Sequence, residues 1–445
     1  MSTTQSERAE RRARREAARK RRLAIFIAIL AAIVIILCAL IIPSVLGDKA
    51  PSEEPVGGDP IQTEDPSQEP EPAPEPEPEP EPPVSLRVVC VGDVMAHSTQ
   101  IKAQYDSASD TYDFSDNFVY VADYISEADL ALCNIETVFA GGTPTGYPMF
   151  NAPDILAKNL ADAGFDIGIL VNNHTLDKGK SGLDRTAQIV AEAGMIPAGF
   201  DPEGAKKYTL TEVEGITIGV VAYTYETPMS NGNHTLNGNP IPGDYVDKLN
   251  SYCYENFDAE MEEIGGAVQA ARDAGADLVI CYYHWGEEYQ RSPNNWQKEI
   301  AARSVAFGAD MIFASHPHVP QGMEMLTDEA TGRQVPVFWS MGNFVSNQRE
   351  ETLDMENRRY TEQGMIAGVN LEYDLEEDKL LTISMDVIPT WVDRYKQDDG
   401  YHYAIIPLDA DLDTNPTLQT SGHLDRAKRA LDDMKEHMGE QHIRK

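Results

Sequence analysis

The chain has 445 residues, of which 42% are apolar and 24% charged, and its 36 Lys and Arg face 73 Asp and Glu. This length gives room for about two or three domains with a sizeable core, and the composition excludes a chain that is disordered throughout. The formal net charge of -37 argues against nucleic-acid binding as the main role, because so acidic a protein repels a phosphate backbone.

The N-terminal part has a basic head followed by an apolar run. Residues 1–22 hold nine Lys or Arg against three Glu, and Leu23–Ile42 contains only Leu, Ala, Ile, Phe, Val and one Cys. A helix of this length spans about 30 Å, the thickness of the hydrocarbon core of a bilayer. We therefore expect an uncleaved transmembrane signal anchor over residues 23–46. The alternative is a cleaved signal peptide, although the apolar region of such a peptide is shorter.

The basic head sets the expected topology. An excess of Lys and Arg on one flank of a span marks the cytoplasmic side, so residues 1–22 should be cytoplasmic and everything after the anchor extracytoplasmic. The sequence thus predicts a single-pass protein of the cell membrane.

An acidic linker rich in Pro and Glu follows over residues 47–83. Its run from Glu69 to Pro83 alternates Glu and Pro almost throughout. Such a run forms neither helix nor sheet, and it predicts an extended polyproline-II spacer that lifts the next domain off the membrane. A ligand for a proline-recognition module is the alternative.

The five cysteines are scattered along the chain. Cys38 lies in the apolar run, Cys90, Cys133 and Cys281 lie in strand-like apolar segments, and Cys253 stands alone. Their spacing matches neither a metal site nor a CxxC motif, so we interpret them as small core residues. An extracytoplasmic disulfide is the alternative.

Residues 84–392 have the pattern of one α/β domain. We predict strands over Leu86–Val91, Leu130–Ile135, Asp166–Val171, Leu278–Tyr283 and Met311–Ala314. We predict helices over Asn117–Glu127, Pro153–Ala163, Gly182–Ala193, Asp258–Ala274 and Asn295–Phe307. This alternation predicts largely parallel pairing with helices on both faces.

Antiparallel pairing is expected in the rest of the domain. The segment Tyr208–Tyr223 alternates and is split by Glu214-Gly215, which is typical of a hairpin. Strands joined by short turns are expected near Val335–Trp339, Gly364–Tyr373 and Leu380–Ile388. Two packed sheets flanked by helices follow from this pattern. Residues 393–445 are expected to form a C-terminal extension with a helix from Ser421 to about Met438.

Polar residues cluster where the predicted strands end. They are Asp93, Asn134, Glu136, Asn172, Asn173, His174, His284, His316 and His318. The carboxyl ends of strands in an open α/β sheet meet at one crevice, so these side chains should converge. Carboxylate, amide and imidazole ligands together favour Zn, Mn or Fe(II) over Mg or Ca, which prefer oxygen alone. The sequence therefore predicts a divalent-metal site.

Six short motifs carry a resemblance to a known family. They are Val91-Gly92-Asp93-Val94-Met95, Asn134-Ile135-Glu136, Asn172-Asn173-His174 with Asp177, His284-Trp285-Gly286-Glu287, Ser315-His316-Pro317-His318 and Gly342-Asn343-Phe344. The ordered series resembles that of the CapA family, bacterial poly-γ-glutamate capsule biosynthesis proteins, and spans roughly Leu86 to Ile388. The resemblance implies an α/β fold, a calcineurin-like metallophosphoesterase-type sandwich of two mixed β-sheets flanked by helices, here preceded by one transmembrane helix.

The resemblance also implies roles for individual residues. Glu136, Asn173, His284 and His316 would hold one metal ion, while Asp93, Glu136 and His318 would hold another. His174 would be the catalytic proton donor, oriented by Asp177. The residues themselves offer His97, Asn343 and Glu287 as further candidates. Glu287 and Glu288 would orient the metal ligands or bind an ammonium group, and a solvated loop is the alternative. This chain has Met95 where the metallophosphoesterase pattern has a His, which weakens the second position unless His97 supplies the nitrogen.

Two functions remain open from the sequence. The first is an accessory role in capsule or other cell-envelope polymer biosynthesis or export, beside membrane-embedded polymer synthase or export subunits. The cleft would then hold an anionic polymer or a phosphorylated intermediate, and an acidic protein would need a divalent cation to bridge the contact. The second is a metal-dependent phosphoesterase that hydrolyses an envelope substrate.

Overall fold

The structure is a computed structural model that describes residues 82–228, 232–409 and 411–444. The basic head, the expected anchor and all but the last two residues of the linker lie outside the described residues. Within the described ranges, no helix combines the length and the apolar character needed to cross a membrane.

Strands hold more of the described residues than α-helices do. In chain order they are β1 (Val84–Val94), β2 (Tyr105–Asp106), β3 (Thr111–Tyr112), β4 (Leu130–Ile135), β5 (Ile167–Ile169), β6 (Ile196–Ala198), β7 (Thr209–Val213), β8 (Ile216–Tyr225), β9 (Thr235–Leu236), β10 (Asn239–Pro240), β11 (Ser251–Tyr252), β12 (Leu278–His284), β13 (Met311–Ser315), β14 (Met323–Thr327), β15 (Gln334–Phe338), β16 (Asn343–Val345), β17 (Gln363–Asp374), β18 (Lys379–Gln397) and β19 (Gly400–Pro407). The helices are α1 (Ser98–Ala103), α2 (Ala122–Ser126), α3 (Ile155–Ala163), α4 (Gly179–Ala193), α5 (Phe257–Asp273), α6 (Asn295–Phe307), α7 (Pro416–Ser421) and α8 (Leu424–Met438).

The strands form two large mixed sheets. The first has the order β19-β18-β17-β1-β4-β5-β6, and β16 also pairs with β1. The second has the order β11-β8-β12-β13-β15-β14, and β7 also pairs with β8. Each sheet has a parallel part with antiparallel strands at its side. The parallel strands are β1, β4, β5 and β6 in the first sheet and β8, β12, β13 and β15 in the second. The expected pair of mixed sheets is confirmed.

Alternation along β1 shows how the layers pack. Val88 and Cys90 face the core between the sheets, which they share with residues of β8 and β12. Val89 and Val91 face the opposite way and pack with α3. Because successive side chains of a strand point to opposite faces, a strand buried on both faces reads as one apolar run. The second sheet is covered on its outer face by α5 and α6 in the same manner.

Three parts of the structure differ from the expected elements. Asn117–Glu127 is not one helix but a short 3-10 turn over Ser115–Phe118 followed by α2. The strand expected near Val335–Trp339 is β15, which belongs to the second sheet and pairs parallel with β13 as well as antiparallel with β14. The first sheet continues past residue 392, because β18 runs to Gln397 and pairs with β19.

The interpretation as small core residues is confirmed for Cys90, Cys133 and Cys281, which belong to the hydrophobic core clusters. Cys90, Cys133, Cys253 and Cys281 are buried and free. Three of them lie in β1, β4 and β12 as small core side chains, whereas Cys253 is the first residue after β11.

Candidate metal centre

The register of the strands brings the predicted site residues together. In the first sheet Asp93 of β1 lies opposite Asn134 of β4 and Asn343 of β16. In the second sheet His284 of β12 lies opposite Ser315 of β13, directly before His316. The pairings of β1 with β4 and of β12 with β13 are parallel, so Asp93, Asn134, His284 and Ser315 lie at or near the carboxyl ends of their strands, as expected, whereas Asn343 begins β16.

Gly92 allows β1 and β16 to approach closely at this point. A Cβ built on Gly92 would lie 1.9 Å from the carbonyl oxygen of Gly342. The same oxygen accepts a hydrogen bond of 3.0 Å from the backbone N of Asp93. Only glycine fits at this position. The hydrogen bond holds the backbone of Asp93 in place and so positions its side chain.

Asp93, Glu136 and His318 form a buried group of metal-ligand type. One ligand atom from each lies within 4.8 Å of the others. The Nδ1 of His318 is 2.9 Å from Oδ2 of Asp93, and its Nε2 is 3.8 Å from Oε1 of Glu136. Asn134 donates from Nδ2 to Oδ1 of Asp93 at 2.8 Å. These side chains are almost completely shielded from solvent.

Burial and mutual charge shift the pKa values of this group. Burial raises the pKa of Glu136 well above its usual value, and the charge of Asp93 raises it further. Burial alone would raise the pKa of Asp93 and lower that of His318. The hydrogen bond and the opposite charge between the two outweigh burial, so the pKa of Asp93 is lowered and that of His318 is raised. Two carboxylates thus compete for one positive partner.

A second set of candidate ligands, Asn173, His284 and His316, lies beside this group. The Nε2 of His284 is 2.9 Å from Oδ1 of Asn173 and 3.7 Å from Oε1 of Glu136. The ring of His316 lies 4.8 Å from that of His284, centroid to centroid. Burial lowers the pKa of His284 well below its usual value and that of His316 to about 3, so both imidazoles are neutral, the form that binds a metal.

The donor set fits a divalent cation. Oε1 of Glu136 and Nδ1 of His316 are buried and have no hydrogen-bond partner in the described part of the chain. Buried polar atoms are normally paired, and an ion would satisfy atoms of this kind. His316 and His318 also have backbone φ angles of 106° and 57°, in the left-handed region that non-glycine residues rarely adopt. Strain of about 1–3 kcal/mol per residue of this kind is concentrated at functional sites.

His174 and Asp177 form a pair beside this centre. The Nδ1 of His174 lies 2.8 Å from Oδ2 of Asp177, which also accepts a 2.6 Å hydrogen bond from the backbone N of Phe150. The carboxylate assigns the ring proton to Nδ1 and leaves Nε2 for other contacts. Nδ2 of Asn237 lies 3.4 Å from this Nε2, and Oδ1 of Asn237 accepts from Nδ2 of Asn173 at 3.3 Å.

A cavity of about 290 Å³ opens onto His174 and His318. Its other lining residues are Met95, His97, Tyr147, Phe150, Glu288, Tyr289, Asn347, Gln348 and Leu353. Aromatic rings form much of this wall, and Glu288 contributes the negative charge. A small group bound here would contact His174 and His318 directly.

The three further candidates take different places. His97 lines the cavity, where its Nδ1 accepts from the backbone N of Asn347 at 3.2 Å. Asn343 lies 3.2 Å from Nδ1 of His318 through its Oδ1 and so helps to position that ring. Glu287 is exposed, and the neighbouring Glu288 lines the cavity instead.

Sequence reasoning missed two residues of the site. Asn237 comes from the turn between β9 and β10, and Tyr225 lies at the end of β8 with its ring 4.8 Å from that of His316. The dipeptide Asn237-Gly238 is a known signal for a tight hairpin turn, and both residues have positive φ. The signal predicts the turn but not where its tip lies.

A family model described as bacterial capsule synthesis protein PGA_cap matches residues 87–348 of the chain. The match covers more than half of the 445 residues and contains every candidate metal ligand described above. The chain belongs to this family. The CapA resemblance of the six motifs is therefore confirmed.

Two relatives of the chain are named CapA. The chain is 27% identical over 273 residues to the capsule biosynthesis protein CapA of Bacillus anthracis, covering 59% of this chain and 60% of that protein. It is 28% identical over 194 residues to the PGA biosynthesis protein CapA of Bacillus subtilis, covering 43% of this chain and 45% of that protein. The matches thus span less than two thirds of the length of either relative.

The solved structures to which the chain is similar include a calcineurin-like phosphoesterase, YfkN of Bacillus subtilis. It is 13% identical with a TM-score of 0.38, and the similarity covers 79% of this chain and all of that one.

Proposed function

We propose that this protein acts in the biosynthesis or export of poly-γ-glutamate or another capsule or cell-envelope polymer, through a metal centre built on Glu136. The observation that carries the proposal is the buried group of Asp93, Glu136 and His318, which opens through His318 into the cavity. Family membership supports the capsule-related role. The basic head and the apolar run at residues 23–46 support a membrane-anchored protein with its main domain outside the cell.

The centre is suited to holding an anionic group. A bound divalent cation would supply positive charge to such a group and lower the pKa of a water. Asp93, Glu136 and His318 would hold one ion, and Asn173, His284 and His316 would complete a second position with Glu136. Mn, Zn and Fe(II) suit this mixture of oxygen and nitrogen ligands.

The charge of the cavity limits how a polymer can bind. Among the lining residues, all within the described ranges, there is no Lys or Arg, and Glu288 is acidic. A polyanion therefore gains no side-chain cation here, and its contact is local to the metal centre. Glu288 suits an ammonium group on the same ligand, such as the amino end of a glutamate polymer. Membrane-embedded synthase or export subunits would present that end.

Genetic replacement tests the role. In the source organism, deletion of the gene should abolish or strongly reduce envelope polymer, and the wild-type gene should restore it. Glu136→Gln should fail to restore it, because it removes the carboxylate shared by both ion positions while leaving the residue size unchanged. His402→Gln, which replaces a surface His beside Asp399, is the matched control and should restore it fully. Normal polymer in the deletion strain, or in the Glu136→Gln strain, would overturn the proposal.

A second function, metal-dependent phosphoester hydrolysis, is favoured by the pair of His174 and Asp177. Asp177 holds Nδ1, and His174 lines the cavity, so a ring that carries a proton on both nitrogens could give the one on Nε2 to a leaving oxygen. Turnover of a chromogenic phosphodiester by the full-length protein with added Mn or Zn would establish it, provided that His174→Gln abolishes the turnover. Polymer restored by His174→Gln but not by Glu136→Gln would favour the accessory role.

A further inference from the structure

A second group of metal-ligand side chains lies apart from the centre on Glu136. It consists of Glu226, His234 and Cys253, and one ligand atom from each lies within 4.8 Å of the others. Glu226 follows β8 directly, and Cys253 follows β11 directly. These two strands pair in parallel, with Tyr225 opposite Tyr252, so the residues after them are brought side by side. His234 stands just before β9.

The side chains of the group contact one another and their neighbours through atoms that can bind a metal. Glu226 accepts from Oγ of Ser251 at 2.7 Å through Oε1, and its Oε2 contacts Nδ1 of His234. The Sγ of Cys253 lies 3.4 Å from Oε1 of Glu260 in the first turn of α5. A thiol, an imidazole and a carboxylate therefore converge on one place, and the second carboxylate, that of Glu260, contacts the thiol.

The members of the group differ in how far they are exposed to solvent. Glu226 and Cys253 are 8% and 2% exposed, whereas the side chain of His234 is 54% exposed. Burial raises the pKa of Glu260, and the nearby charge of Glu226 raises it further. An ion pair between Glu226 and His234 accounts for neither the thiol nor the second carboxylate.

We propose that Glu226, His234 and Cys253, with Glu260 as the fourth ligand, bind a zinc ion. Zinc takes Cys, His and carboxylate ligands in tetrahedral sites, and four protein ligands are typical of a structural ion. Binding replaces the thiol S–H bond with a Zn–S bond and releases the proton to solvent. His234 exchanges its contact with Glu226 for the metal.

The position of the group gives the ion a role. His234 lies at the base of the hairpin formed by β9 and β10, and the turn of this hairpin carries Asn237 to His174 and Asn173. On the other side, Glu226 directly follows Tyr225, whose ring packs on His316. A zinc ion here would fasten the hairpin to the ends of β8 and β11. It would thereby fix the residues that border the metal centre from this side.

Cobalt substitution tests the proposal with a signal that the other centre cannot give. Thiolate bound to Co²⁺ gives a strong near-ultraviolet charge-transfer band, and the centre on Glu136 has no sulfur ligand. Untagged full-length wild-type protein titrated with Co²⁺ should show this band, and added zinc should remove it. Cys253→Ser should lose the band. His234→Gln, which alters a largely exposed side chain, should weaken Co²⁺ binding at least tenfold.

His402→Gln is the matched control, because it removes another His that contacts a carboxylate, but one with no cysteine in that contact. It should leave the band unchanged. Absence of the band in the wild type, or its survival in Cys253→Ser or undiminished in His234→Gln, would overturn the proposal. The result does not depend on the polymer role, since the readout is metal–sulfur coordination and not activity.

Discussion

The imidazole of His318 lies between the two carboxylates of the metal centre. Its Nδ1 is 2.9 Å from Oδ2 of Asp93, and its Nε2 is 3.8 Å from Oε1 of Glu136. One ring therefore touches both acids, and Asn343 holds it in place from the side. In the metal-free protein, His318 offsets part of the negative charge that a cation would neutralise.

Replacing His318 should destabilise the metal-free protein. His318→Gln leaves two buried carboxylates without their positive partner, and removal of one member of a buried charged group costs about 3–5 kcal/mol. His316→Gln is the matched comparison and should cost less, because Nδ1 of His316 has no partner to lose. Denaturant unfolding in the presence of a chelator measures both. Equal losses for the two variants would contradict the role given to His318.

The pair of His174 and Asp177 should affect turnover without affecting metal content. If the protein hydrolyses phosphodiesters, His174→Gln removes the proton donor and should lower kcat about 10²–10⁴-fold. Asp177→Asn should lower it less, because the ring that gives the proton remains and its contact at Nδ1 is weakened. Bound metal, measured on the same samples, should stay at the wild-type level. Loss of metal in His174→Gln would show that the residue is a ligand and not a proton donor.

The strand ends could be predicted because strands buried on both faces read as apolar runs in the sequence. Strands such as β4 and β12 are buried on both faces, so they read as apolar runs, and the first polar residues after them had to lie at the sheet edge. The strand β14 was missed for the opposite reason. Its side chains are partly exposed and mixed in polarity, which leaves no apolar run to detect.

Met95 decides how many ions the centre holds. It is buried and lines the cavity beside His318. Met95→His should add an equivalent of bound Zn or Mn, since imidazole is a far better ligand for either ion than a thioether. His97→Ala should leave the count unchanged, because Nδ1 of His97 is already used by the backbone of Asn347. The reverse outcome, with loss in His97→Ala and no gain in Met95→His, would make His97 the missing ligand.

Acid should destabilise the fold partly through His437 of α8. Burial, together with the charge of Arg291, lowers the pKa of His437 from 6.5 to about 4. Between these pH values the unfolded chain binds a proton that the folded chain does not, so stability is lost as the pH falls from 6.5 towards 4. His437→Gln should reduce this loss by about 2 kcal/mol, allowing for the partial exposure of the ring. Identical pH slopes in denaturant unfolding of the two proteins would refute this.

Contacts between distant segments explain what the sequence could not predict. Asn237 is 63 residues from His174, and its role depends on how the hairpin of β9 and β10 folds back over the strand ends. Similarly, Glu288 and not Glu287 lines the cavity, which depends on the course of the loop after β12. No periodicity or spacing encodes either arrangement.

Metal analysis of the full-length protein, purified without chelator and compared with Glu136→Gln, tests the central claim most directly. The Oε1 of Glu136 is a buried atom without a partner in the described part of the chain, and it lies within 4 Å of both His284 and His318. The account predicts that the wild type retains Mn, Zn or Fe and that Glu136→Gln, still folded, loses the metal held by this centre. Equal metal content in the two proteins would mean that this buried cluster is not a metal centre.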